Sequence, residues 1–249
     1  MLRNRLITVL TFNDGVLFRT KLFEPDYRYT HNFVDSWAID EIVVLDVTRP
    51  GKGDRAGFNR AVGDLARTCF VPLAAGGWIR TLDDVRDYLA LGADKVVINT
   101  AAVDRPEFIT DVAQRYGSQC VVLSIDAKAQ EHGNYEVFAS QGSRPTGFDP
   151  VEWAQAGVEL GAGEILLTAI DRDGSLRGYD LTLCRKVVDA VPVPVLILGG
   201  AGNWQHFAEG LSVAGAAAVC TQNIYHFTET SVRSAKRFLH EKGFSVRRG

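Results

Sequence analysis

Short apolar runs alternate along the whole chain with longer segments whose apolar residues recur at helical spacing. The runs at 6–10, 42–47, 70–75, 95–99, 120–125, 165–170, 193–198 and 216–221 predict strands. Between them, 55–68, 150–160, 181–190, 204–214 and 229–242 predict helices, with Asn203 capping the fourth and Thr81 opening a further one that runs to about 91. Asp83 and Asp84 fall in that helix's first turn, where the helix dipole favours negative charge. Pro106 places another helix start near 104–107, and a short helix is expected near 32–37. Asn13, Asp14 and Gly15 end the first strand in a turn, and a long polar and aromatic loop follows at 24–31. Residues 134–140 alternate like half of a hairpin. Strand-then-helix order throughout argues for a parallel sheet.

One strand pattern occurs twice. Residues 40–51 (DEIVVLDVTRPG) and 163–174 (GEILLTAIDRDG) each run from an acid through an apolar strand to an acidic, glycine-ended loop. Glu41 and Glu164 are 123 residues apart, as are Arg49 and Arg172, and Gly51 and Gly174. Gly76 and Gly77 match Gly199 and Gly200 at the same offset, and Gly92-Ala93 matches Gly215-Ala216. One register held over so many anchors marks an internal duplication. It favours a single (β/α)8 TIM barrel, in the α/β class, made of two half-barrels at about 1–119 and 120–249.

Composition fits one such domain of 249 residues with 46% hydrophobic content. A net charge of −3 gives no pull toward nucleic acid or an anionic membrane. The four cysteines are scattered and the five histidines lack metal-ligand spacing, so neither a disulfide frame, a metal nor a cofactor is expected. The amino terminus lacks the apolar core of a signal peptide, and no apolar run approaches a membrane span, so the chain reads as cytoplasmic. The basic tail, with Arg233, Lys236, Arg237, Lys242, Arg247 and Arg248, reads as a solvated face, and His226 as packing.

In barrels of this kind ligands bind at the carboxyl ends of the strands. There the second half offers Asp173-Gly174, Gly199-Gly200 and Gln222-Asn223, glycine-rich loops and helix starts suited to phosphate or to tight turns alone. The first half offers Gly76, Gly77, Trp78, Asn99 and Thr100, with the Trp78 indole filling that pocket or stacking on a ligand. Asp126 ends the fifth strand as a candidate general acid or base, a helix cap or a partner for Lys128; Asp46 and Asp171 hold comparable positions. Thr11 ends the first strand and supplies no carboxylate opposite Asp126. At the opposite strand ends, Arg5, Glu41, Lys95 and Glu164 either form a ring of ion pairs across the floor or ordinary rim salt bridges.

The stretches 94–102 (DKVVINTAA), 117–119 (GSQ), 124–128 (SIDAK), 161–168 (GAGEILLT), 170–174 (IDRDG), 178–180 (GYD) and 199–202 (GGAG) resemble the cyclase subunit (HisF) of imidazole glycerol phosphate synthase. The resemblance spans essentially the whole chain. It implies a (β/α)8 barrel of two half-barrels that takes ammonia from a glutaminase (HisH-like) partner on its amino-terminal face and acts on a phosphorylated small molecule. It implies that Arg5, Glu41, Lys95 and Glu164 form the ammonia gate and that Asp126 is one of two catalytic aspartates. The second falls at Thr11, which cannot replace a carboxylate in acid–base work. Arg19 stands where the family has an active-site lysine, Trp78 replaces a phosphate-loop glycine, and Gln222-Asn223 replace a small pair. Residues 13–27 (NDGVLFRTKLFEPDY) are similar to HisF-like paralogues that serve amidation of surface-polysaccharide sugars. The resemblance therefore implies a diverged ammonia-conducting barrel. A histidine-pathway cyclase and a non-catalytic activator of a glutaminase are the alternatives.

Overall fold

The computed structural model describes residues 3–14, 16–28, 39–49, 55–222 and 232–247. The expected helix at 32–37, the loop at 50–54, Asn223 and His226 lie outside the described residues, as does the Arg19 side chain. β1 (Arg5–Asn13) runs past its predicted end and returns through an antiparallel hairpin, β2 (Val16–Lys21) and β3 (Glu24–Arg28). Part of the expected first loop is therefore strand. The chain then follows strand-helix order: β4 (Glu41–Asp46), α1 (Arg55–Thr68), β5 (Leu73–Gly76), α2 (Leu82–Ala90), β6 (Lys95–Ile98), α3 (Thr100–Asp104), α4 (Glu107–Tyr116) and β7 (Val121–Ala129). A second hairpin, β8 (Tyr135–Ala139) and β9 (Arg144–Pro145), extends from β7. The rest is α5 (Pro150–Glu159), β10 (Glu164–Ala169), α6 (Leu181–Ala190), β11 (Val195–Leu198), α7 (Trp204–Ser212), β12 (Ala218–Thr221) and α8 (Val232–Glu241).

β1, β4, β5, β6, β7, β10, β11 and β12 are parallel, and pairings of β1 with β12 and of β10 with β7 complete a closed barrel. Their side chains alternate between two apolar layers. Leu6, Leu10, Phe12, Ile42 and Val44 face the helices, while Ile7, Val9, Val43, Val97, Val122 and Leu166 fill the barrel. Because both faces are covered, the strands read as nearly continuous apolar runs.

The caps expected at Thr81 and Asn203 are in place, and Thr81 forms a full capping box with Asp84. Two local readings change. Pro106 is the cap of α4 rather than its first residue, because the separate turn of α3 already uses residues 100–104. Phe70 is 78% exposed and precedes β5 rather than starting it. The basic tail is also less solvated than expected. Lys236 is 3% exposed and donates to Asp40 Oδ1 at 2.6 Å, while Arg247 Nε meets the same oxygen at 3.1 Å. Asp40 Oδ2 also accepts from Leu6 N, so this acid joins α8 to the start of β1.

Candidate functional site

The four charges that begin β1, β4, β6 and β10 meet on the barrel axis. Arg5 donates to Glu41 at 2.6 Å and to Glu164 at 2.9 Å, and Lys95 donates to the same two carboxylates at 2.9 and 2.7 Å. Each cation bridges both acids, so the ring closes with signs alternating. Desolvation pulls the Arg5 guanidinium down, but the fields of Glu164 and Glu41 outweigh it, and its pKa is raised. Above the ring, Ile7, Val43, Val97, Val122, Leu166, Ala218 and Cys220 line the lumen with apolar surface.

At the other end the lumen opens into a cavity of about 500 Å³. Thr11, Asn99, Ser124, Asp126, Thr168 and Gln222 bring polar atoms to it, among apolar walls that include Leu45, Val97 and Leu198. Alternation along β7 aims Ser124 and Asp126 inward together, a signal already present in the sequence. Asn99 Nδ2 donates to Asp126 Oδ2 at 3.2 Å, and Ser124 Oγ donates to Oδ1 at 3.4 Å. Asp126 is not paired with Lys128, whose ammonium lies 5.9 Å from the Phe138 ring centroid. Desolvation pushes the Asp126 carboxyl up to about 7, and hydrogen bonds from Ser124 and Thr168 restrain the rise. A carboxyl titrating there can take or give a proton near neutral pH. Thr11 is buried in the same wall. Among the described residues no cluster of His, Cys, Asp and Glu side chains could hold a metal ion.

Two hairpins cover the mouth; the second includes the expected hairpin half at 134–140, while the first occupies residues expected as a turn and loop. In the first, Thr20 N and Oγ1 both donate to Gln222 Oε1 at 3.1 Å. Leu22 N donates to Asp173 O at 3.2 Å, and Phe23 N donates to Asp173 Oδ2 at 3.1 Å. Gly174 lies under this hairpin so closely that a Cβ there would stand 2.9 Å from Lys21 Cα. In the second hairpin, Ser140 N donates to Thr100 Oγ1 at 3.0 Å, and Gln141 Nε2 donates to Thr48 O at 2.9 Å. The hairpins meet where the Phe23 ring covers Gly142; a Cβ on that glycine would lie 2.7 Å from the ring.

These contacts redistribute the expected ligand residues. Asp173 and Gln222 hold the first hairpin, and Thr100 holds the second. Asp171 leaves the site altogether: its carboxylate accepts from Ala129 N at 2.8 Å and braces β7. Gly174, Gly199 and Gly200 line only a small recess of about 30 Å³ beside Thr20 and Gln222. Asp46 accepts from Thr48 N at 3.0 Å, and its backbone packs against Gly77. Gly76 is packed against Val97, and Gly77 O accepts from the Tyr88 hydroxyl at 2.9 Å. Trp78 follows with φ of 58°, a left-handed conformation that costs a bulky residue about 1–3 kcal/mol. It lines the large cavity, with the Arg80 guanidinium 5.2 Å from its ring centroid.

Residues 8–231 match the family model described as histidine biosynthesis protein. The chain belongs to the histidine biosynthesis protein family. This family consists of enzymes built on (β/α)8 barrels, and the HisF-like reading of the sequence agrees with the match and with the closed barrel. Within that family, this chain combines a closed four-charge floor with a mouth that carries Thr11 and Trp78. Phe23, Arg80, Ser140 and Gln141 are cavity residues that sequence reasoning missed. Only Arg80 left a trace, as a cation two residues from an unexpected tryptophan.

Proposed function

We propose that this histidine biosynthesis family barrel receives ammonia at its floor from a glutaminase partner and delivers it to Asp126 in the mouth cavity. There the ammonia nitrogen adds to a carbonyl carbon of a phosphorylated small molecule, the C=O π pair moves onto the oxygen, and Asp126 passes the proton lost by the new amine to that oxygen. The observation that carries this reading is the continuous line from the four-charge ring, through the apolar sleeve, to a carboxyl that titrates near 7. An apolar lumen favours passage of a neutral amine over a cation. Thr11 argues for divergence, since the family's ring closure relies on a second carboxylate there. We therefore assign the acceptor to surface-sugar amidation rather than to histidine synthesis, and the reaction to the cytoplasm.

The test is glutamine-dependent amination by the barrel together with a HisH-like glutaminase. Nitrogen-15 from the glutamine amide should enter the product only when both proteins are present. Robust cyclisation of the family's ribotide by the isolated barrel with ammonium salts would overturn the divergence. If Asp126→Asn left product formation unchanged, the barrel would be an activator of its partner and nothing more.

The family match itself favours a second reading, a histidine-pathway cyclase with an unusual site. Complementation of a strain lacking the cyclase tests it. Thr11→Asp should raise growth if Asp126 still serves that reaction, and no growth from either form would end this reading.

A further inference from the structure

Trp78 marks a difference between the two half-barrels within the cavity. The repeat offset pairs it with Ala201, which follows Gly199 and Gly200 in the small recess on the opposite side. A cradle for a bare phosphate needs small residues and open backbone N–H groups. The first half has instead a large indole, held in a left-handed backbone that a smaller residue or glycine would adopt with less strain. Its neighbours complete a different kind of surface. Ile79 and Val47 extend the apolar wall, and Asn99, Ser140 and Gln141 place neutral hydrogen-bonding groups beside it. Arg80 is exposed, lies over the indole at 5.2 Å and pairs with no carboxylate among the described residues. Arg105 lines the same end, with Asp111 3.5 Å away at the rim. The two acids nearby are already engaged: Asp104 with Arg144, and Asp46 with Thr48 N.

We infer that this end of the cavity binds a ring bearing an anionic group, stacked on Trp78 with its carboxylate or phosphate toward Arg80, and not a bare terminal phosphate. An indole accepts either the CH face of a sugar or a planar ring, and a guanidinium accepts either anion. The shared feature is therefore a ring with an attached charge. The inference rests on the reading of this cavity as the acceptor site, but it concerns binding alone and needs no ammonia.

Calorimetric titration of the full chain tests it with four probes: glucuronate, AMP, methyl glucoside and inorganic phosphate. At least one ring-bearing anion should bind about ten-fold more tightly than phosphate or the neutral glycoside. The order of glucuronate and AMP then identifies the ring. Trp78→Gly, which suits the local backbone, should erase the advantage over phosphate, and Trp78→Phe should keep part of it. Arg80→Gln should erase the advantage over methyl glucoside while leaving that glycoside's own binding unchanged. Phosphate binding as tightly as both ring-bearing anions would overturn the inference. So would indifference to Trp78→Gly, or failure of every probe to bind at millimolar concentration. Nitrogen-15 transfer measured separately with the glutaminase shows whether ammonia delivery survives such a failure.

Discussion

At the floor of the lumen two cations and two carboxylates satisfy one another within 2.9 Å, whereas at the mouth the Asp126 carboxyl has only neutral hydrogen-bond partners and feels the like charge of Asp173. The floor is a closed electrostatic unit in which each member fixes two others. The mouth is under-neutralised, and its carboxyl is held near the point of proton exchange. Charges that saturate each other resist substitution as a set, while an isolated acid can be tuned by its surroundings. The ring expected of the family thus coexists with a mouth whose opposing residue is Thr11 and whose first loop carries Trp78.

The largest test of this contrast acts at the mouth. Asp126→Asn should lower ammonia transfer by about 10²–10⁴-fold, the range for loss of a positioned acid–base group, while glutaminase activity of the assembled pair stays within error. Equal loss at both steps would mean that floor and mouth do not act separately. At the floor, Lys95→Ala removes one of the two cations from Glu41, which is 1% exposed. Breaking a buried pair outright costs about 3–5 kcal/mol, but Arg5 still touches both acids, so urea denaturation should show a loss of about 2 kcal/mol. A neutral result would mean that the ring is only a solvated rim.

The next test concerns pH. Asp126 titrates near 7 in the folded chain, against an ordinary value of 3.8, so the folded protein binds the extra proton between those limits. Its contribution to stability is complete below about 4 and is lost as pH rises through 7. Asp126→Asn should therefore match the parent near pH 4 and exceed it at pH 8. The gain should be about 2 kcal/mol, below the full linkage value because the carboxyl faces an open cavity. A gain independent of pH would contradict the raised value. The smallest effect is expected at the roof. Gly142→Ala adds a Cβ against Phe23 at a φ of 74° and should cost about 1 kcal/mol, with KM rising more than kcat falls. An unchanged KM would show that the meeting of the hairpins does not shape ligand access.

The floor was legible because period-two alternation puts Arg5, Glu41, Lys95 and Glu164 on the same side of their strands as the lumen residues Ile7, Val43, Val97 and Leu166. Their placement at strand starts left a ring across the floor and ordinary rim salt bridges both open, and the resemblance to HisF favoured the ring. Asp126 was legible for the same reason at the other end. The roof was not, because it depends on where two hairpins fold back. Nothing near Phe23 in the sequence points to Gly142, and an acid after a strand reads alike whether it meets a ligand or, as Asp173 does, a backbone N–H of a distant hairpin. Lys236 was misjudged because its partner, Asp40, lies 196 residues away in the chain.

The sleeve between the two ends carries a rule about charge. Its only titratable side chain among the described residues is Cys220, whose thiol is pushed up by burial and so holds its proton. A small base crossing that interval finds no group to exchange protons with, and emerges in the form in which it entered. Under the proposed function, ammonia that enters the sleeve neutral would therefore reach Asp126 with its lone pair free.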